Sequence, residues 1–240
     1  MGVSNAVRNP GTYLSTRLSL YRTLLTDPER FYEEYIGTRG LRSEFALVLV
    51  AGLIGLVGNY FMLQELIAQF EAFDAVTIND QVRFQLQQQV IQPLIGAFVL
   101  WIWYGFGMYA VGWLYTTIGT TYLAMKRAAW ALFPILIANV IHSAAIYYAS
   151  TTMEITDSDI TIQTSLSDEV TSFVWSQAGG DMIVVAATAV GIIFALWAGY
   201  IGAYAIAEVR DLTTDEAYRV AAVPTVGYVL FIAYSVVTAL

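Results

Sequence analysis

The sequence predicts an all-α membrane protein, a polytopic bundle of five transmembrane helices preceded by short cytoplasmic amphipathic helices. Three observations carry this prediction. The chain of 240 residues is 58% hydrophobic and only 12% charged, which leaves too little polar surface to cover a water-soluble globule. It contains five apolar stretches of about 20 residues, the length with which a helix crosses the hydrocarbon core. If each stretch crosses the membrane, almost all the basic residues of the chain lie on the same side of it.

The predicted spans follow an N-terminal segment of residues 1–43 and belong to one membrane domain, residues 44–240. None of the five contains Asp, Glu, Lys or Arg. The predicted spans cover about residues 45–63, 93–118, 128–149, 182–207 and 220–240. Residues 64–92 and 150–180 connect spans on the outer side.

The distribution of Lys and Arg sets the predicted orientation. With five spans, ten of the eleven basic residues share one side with the N-terminus, and Arg83 alone lies on the other. Basic residues mark the cytoplasmic side, so the N-terminus is predicted inside and the C-terminus outside a cell membrane. The apolar stretch Pro93–Met125 is long enough for two spans. A sixth span, however, would move four basic residues outside and remove the asymmetry.

The segments outside the spans show helical patterns. Residues 14–25 place apolar side chains on one face, and Asp27-Pro28-Glu29 is typical of a helix start. The two amphipathic helices predicted here lie on the inner membrane surface or pack against the ends of the spans. Residues 64–92 predict a helical hairpin that continues both flanking spans outward. The acidic residues of 150–180 match no defined cation-binding loop, which favours a solvated surface over a cation site.

Composition excludes several classes of function. With no Cys and one His, thiolate metal sites and hydrolytic triads are not predicted. No glycine-rich phosphate loop follows a strand, and a net charge of −8 argues against nucleic acid as a partner. We therefore predict no catalytic residue, no metal site and no cofactor. The acidic, Cys-free chain with Lys126 as its one Lys suggests a salt-loving archaeal source.

Three polar side chains fall within predicted spans. His142 and Asn139 share one helical face, and Asn59 lies in the first span. Such residues line a substrate or proton path, or they form hydrogen bonds between helices. Because no acid or base lies within the other spans, the second interpretation is favoured.

Two segments carry a resemblance to a known family. The first is LLTDPERFYEEY, residues 24–35, which precedes the first span. The second is WAGYIGAYAIAEVRDLTTDEAYRVAAVP, residues 197–224, in which Thr213 and Glu216 form a capping box before the last span. The arrangement resembles the Yip family, five-span membrane proteins first known as Rab-GTPase interactors. The Asp-Leu-Tyr-Gly-Pro motif of eukaryotic members is not found in this sequence.

The resemblance implies a non-enzymatic membrane organiser or adaptor, surrounded by membrane lipids, whose cytoplasmic face recruits a protein partner such as a small GTPase. A homo- or hetero-oligomer is also compatible with it. The alternative is a small transporter or permease subunit with a polar path near His142 and Asn139. The residues predicted to contact a partner are Arg30, Phe31, Tyr35, Arg39, Arg210, Asp211 and Leu212.

Overall fold

The computed structural model describes residues 10–35, 41–71, 80–152 and 181–239, and every regular element in these ranges is an α-helix. The helices, in chain order, are α1 Pro10–Thr26, α2 Pro28–Tyr35, α3 Arg42–Glu71, α4 Asp80–Gly112, α5 Thr121–Ala131, α6 Phe133–Thr152, α7 Met182–Arg210 and α8 Thr214–Ala239. Of the residues singled out from the sequence, Arg39 and the acidic residues of 153–180 lie outside the described residues.

The predicted all-helical bundle with five spans is confirmed. Among the described residues, the helices long and apolar enough to cross a membrane are α3, α4, α6, α7 and α8. The chain is therefore a multi-pass membrane protein. Both helices next to the first outer connection are longer than their apolar parts. Helix α3 continues past its apolar part to Glu71, and α4 begins at Asp80, before its apolar part.

The five spans form a ring in which each helix packs against two neighbours. Helix α3 packs against α4 and α6, α6 against α7, α7 against α8, and α8 against α4. Glycines make the contacts of α3 close. A Cβ atom at Gly52 would lie 2.9 Å from Leu94 Cα, and one at Gly58 would lie 2.9 Å from Ser143 Cα. Small residues at such crossings let helices approach where no hydrophobic effect drives them together.

The connection between the second and third spans differs from the prediction. Helix α4 ends at Gly112, before the predicted residue 118, and the third span begins at Phe133 instead of residue 128. Between them, residues 113–120 form a turn in which Gly119 has a φ of 89°. Helix α5 follows and is packed inside the bundle, so apolar composition alone did not mark the ends of these two spans.

Helices α1 and α2 form an N-terminal arm, residues 10–35, that packs against one end of the bundle. The predicted start of α2 is present: the backbone N–H of Arg30 donates to Asp27 Oδ1 at 3.3 Å. The arm contacts α7, and α5 lies beside it. We call this the arm end of the bundle and the other side the opposite end. The sequence predicts that the arm end faces the cytoplasm.

Candidate functional site

An aromatic core holds the arm on the bundle. Leu24 and Phe31 are at most 1% exposed, and they pack with Tyr32 against Trp130 of α5 and Ile201 of α7. The ring centroids of Phe31 and Trp130 lie 5.5 Å apart. Phe31 was predicted to contact a partner, but it faces the interior because its helix turns its apolar side towards the bundle. It therefore anchors the arm and is not accessible to a partner.

A charged cluster lies beneath the arm. The Tyr32 hydroxyl donates to the carbonyl oxygen of Arg127 at 3.2 Å, and the Arg127 guanidinium forms an ion pair with Glu208 of α7. Burial raises the pKa of the Tyr32 phenol well above its usual range, although the nearby Arg127 charge opposes this shift. Burial also lowers the pKa of Arg127. Tyr32 therefore stays neutral, and the cluster ties the arm to α5 and α7.

Arg210 is fully buried and connects α7 to the end of α4. Its Nη2 donates to the carbonyl oxygen of Tyr109 at 2.8 Å, and its Nη1 donates to those of Thr116 and Ile118 at 2.5 and 3.0 Å. The Tyr109 carbonyl lies at the negative end of α4, and those of Thr116 and Ile118 lie in the turn after it. Arg210 was predicted to contact a partner, but its side chain is 0% exposed. It holds the fold together instead.

Glu44, at the start of α3, was not singled out from the sequence. It is 1% exposed and accepts hydrogen bonds from Trp130 Nε1 at 3.0 Å and from the Ser43 hydroxyl at 2.7 Å. Because Trp130 also supports Phe31, Glu44 helps to position the aromatic core under the arm. Its one sequence signal was an acidic residue immediately before an apolar stretch.

The arm end contains a recess of about 200 Å³ between α2, α7 and α8. Its walls combine carboxylates with tyrosine rings. The Tyr204 and Tyr218 hydroxyls lie 3.3 Å apart, and their ring centroids are 6.1 Å apart. We call it the arm-end recess, and the residues that line it include Glu29, Glu33, Glu208, Tyr204, Tyr218 and Leu212.

The other residues predicted to contact a partner lie in different environments. Leu212 lines the arm-end recess. Asp211 is exposed and ends α7 in a left-handed conformation, with φ 54° and ψ 46°. Arg30 is exposed and pairs with Glu34 at 3.0 Å. Tyr35 is the last residue of α2. Their role in binding a partner stays a prediction.

A second cavity, of about 450 Å³, lies near the middle of the bundle and is bounded by α3, α4, α6 and α8. We call it the ring cavity. It brings together all three intramembrane polar residues singled out from the sequence, Asn59, Asn139 and His142, and adds Gln92 and Ser143. Asn139 Nδ2 donates to the carbonyl oxygen of Ala51 at 3.3 Å, so the predicted hydrogen bond between helices is present for this residue.

Within the described ranges, no group of three or more His, Asp or Glu side chains is placed to hold a metal ion.

Comparison with known proteins identifies a family. A family profile described as Yip1 domain matches residues 22–236. The matched stretch begins within the arm and extends into the last span, so it includes both the arm-end recess and the ring cavity. A search of the curated proteins found no match, and neither did a search of the solved structures.

Proposed function

Since the chain belongs to the Yip1 domain family, membrane proteins not known as enzymes, we propose that it is a membrane organiser or adaptor that recruits a protein partner at its arm end. The arm-end recess carries this proposal. Its walls come from α2, α7 and α8, so it exists only when the arm is docked on the folded bundle. A partner that binds there recognises the assembled membrane protein.

The lining of the recess suggests the chemistry of the partner. Glu29 and Glu33 are exposed carboxylates on α2, and Tyr204 and Tyr218 present rings beside them. Carboxylates and aromatic faces both favour a Lys or Arg side chain. We therefore expect a basic segment of a cytoplasmic protein, and the family resemblance names a small GTPase as the first protein to test.

Isosteric variants of the recess test this proposal. In a crosslinked pull-down from native membranes, the double variant Glu29→Gln/Glu33→Gln should lose the partner by about tenfold or more, since a hydrogen bond to a charged group contributes about 1.5–3 kcal/mol. Glu34→Gln is the matched control, because Glu34 is an exposed acid on the same helix that does not line the recess. Equal capture by all three proteins would exclude the recess as the binding site.

A second candidate function is the transporter or permease subunit, because the ring cavity contains the polar residues predicted for such a path. Its lining includes no Asp, Glu, Lys or Arg, whereas ion and proton pathways through membranes usually use charged side chains. Uptake of a neutral solute into proteoliposomes that contain the protein, abolished by closing the cavity, would favour this function over the adaptor.

The composition supports a salt-adapted archaeal source. Nineteen acidic residues accompany a single Lys and no Cys. At about 1 M salt the Debye length is near 3 Å, so only close contacts between partner and recess would persist. Partner capture that survives at about 2 M KCl supports this source, and loss of the partner above about 0.5 M argues against it.

A further inference from the structure

The ring cavity is a space near the middle of the membrane with uncharged walls. His142 lies nine residues after the start of α6, which places it roughly 14 Å along a span that is about 30 Å long. The cavity lining includes no Asp, Glu, Lys or Arg. A charged ligand would therefore find no counter-charge at a depth where an unpaired charge is costly.

The polar groups of the cavity retain capacity for hydrogen bonds. Asn139 and Ser143 each donate to a carbonyl of α3, at 3.3 and 3.2 Å, which leaves oxygen atoms as acceptors. No described residue forms a hydrogen bond with the His142 imidazole, which lines the cavity and is half-buried. A polar group in the middle of a membrane needs a hydrogen-bond partner. For His142, a molecule bound within the cavity would supply that partner.

Apart from Tyr228, the remaining walls are apolar. Leu100, Ile135 and Ile146 line it, and a Cβ atom at Gly96 would have nothing within 4 Å. Gln92 and Phe231 lie at its exposed edge. Towards the arm end the ring is filled, because a Cβ atom at Gly202 of α7 would already lie 3.3 Å from the Met108 sulfur of α4. A ligand therefore enters from the opposite end or from the lipid.

We infer that the ring cavity binds a small uncharged amphipathic molecule, with a hydroxyl or carbonyl group at His142 and Asn139 and an apolar chain along Leu100 and Ile135. This site is separate from the arm-end recess and does not depend on the adaptor function. Its volume of about 450 Å³ lies within the usual range for small-molecule sites, about 300–1,000 Å³.

Photolabelling with a diazirine-bearing octanol tests the inference on the purified full chain. The probe should label peptides from α4 and α6, and excess 1-octanol should suppress the labelling at least fivefold more strongly than octane, which lacks the hydroxyl. His142→Leu should reduce the labelling at least threefold, while His142→Gln, which keeps hydrogen-bonding atoms, should stay within twofold of the parent.

Filling the cavity gives an independent test. Gly96→Phe should place a ring in the open space and reduce labelling about tenfold. Gly191→Phe is the matched control, since a Cβ atom at Gly191 of α7 also has nothing within 4 Å and Gly191 does not line the cavity. Labelling spread evenly over lipid-facing helices, or unaffected by both Gly96→Phe and His142→Leu, would overturn the inference.

The same preparation distinguishes the two sources of such a molecule. An uncharged lipid that co-purifies with the parent, is displaced by 1-octanol and is absent from Gly96→Phe would identify the membrane as the source. Labelling without any such co-purifying lipid would assign the site to a dissolved neutral solute. Both outcomes support the inferred chemistry. Co-purification of only anionic lipids that 1-octanol displaces would contradict it.

Discussion

The arm end of the bundle and the ring cavity contain polar groups of different kinds. At the arm end three buried charged groups have specific partners: Glu44 with Trp130, Arg127 with Glu208, and Arg210 with carbonyls of α4 and of the turn after it. The polar side chains that line the ring cavity are all uncharged, and space remains beside them.

This difference distinguishes the polar groups that stabilise the fold from those that can bind a ligand. Buried charges are costly unless they are paired, so the buried charges of the arm end are committed to holding helices together and are not available to a partner. Partner contacts must come from what stays exposed, the carboxylates and tyrosines of the arm-end recess. The uncharged groups of the ring cavity border open space, and they are therefore suited to a small ligand.

The largest effect is expected at Arg210. Arg210→Leu removes three hydrogen bonds to backbone carbonyls, and since each bond to a charged group contributes about 1.5–3 kcal/mol, unfolding free energy should fall by about 4 kcal/mol or more. Arg210→Lys should lose roughly half as much, because an ammonium group cannot reproduce the planar fork. Thermal or denaturant unfolding in detergent measures both. A loss below about 1 kcal/mol for Arg210→Leu would contradict the assigned role.

The next effect concerns the arm. Phe31→Ala should weaken arm docking by about 3–4 kcal/mol, the usual cost of truncating a buried Phe, while the spans stay folded. Because the chain has no natural Cys, a single Leu24→Cys reports docking: it should resist a thiol reagent in the parent background and react in Phe31→Ala. Equal reactivity in both backgrounds would mean that the aromatic core does not hold the arm.

A matched pair of glycines in α4 compares the two regions directly. A Cβ atom at Gly112 would lie 2.6 Å from Arg210 Cδ, whereas one at Gly96 has nothing within 4 Å. Gly112→Ala should therefore destabilise the protein by about 1–3 kcal/mol through overpacking. Gly96→Ala should be neutral or stabilise it by less than about 1 kcal/mol. Similar unfolding curves for the two variants would contradict the packing difference between the two regions.

The sequence was sufficient to predict the five spans because each is free of charge and long enough to cross the membrane. It did not predict the end of the second span, since Trp113, Leu114 and Tyr115 continue the apolar composition past Gly112. Arg210 donates to the carbonyls of Thr116 and Ile118 in the turn that follows α4, and these contacts join residues far apart in the chain. Hydropathy does not detect such an interaction.

The candidate sites were predictable only in part. Helical spacing placed Asn139 and His142 on one face, and the structure brings both to the ring cavity with Asn59, but a cavity between four helices depends on their packing. Phe31 belongs to the second of the two predicted amphipathic helices. An apolar face fits a partner, a lipid surface or the chain's own bundle equally well, and only the structure shows that the bundle covers it.

Site-specific photocrosslinking can show whether a partner protein binds at the arm end. A photoreactive amino acid at Tyr218 lies in the arm-end recess, and one at Tyr234, which is 68% exposed, lies towards the opposite end. In native membranes we expect a discrete protein adduct from position 218 that disappears in the Glu29→Gln/Glu33→Gln background, and none of the same mass from position 234. The same adduct from both positions, or an adduct from position 234 alone, would contradict this expectation.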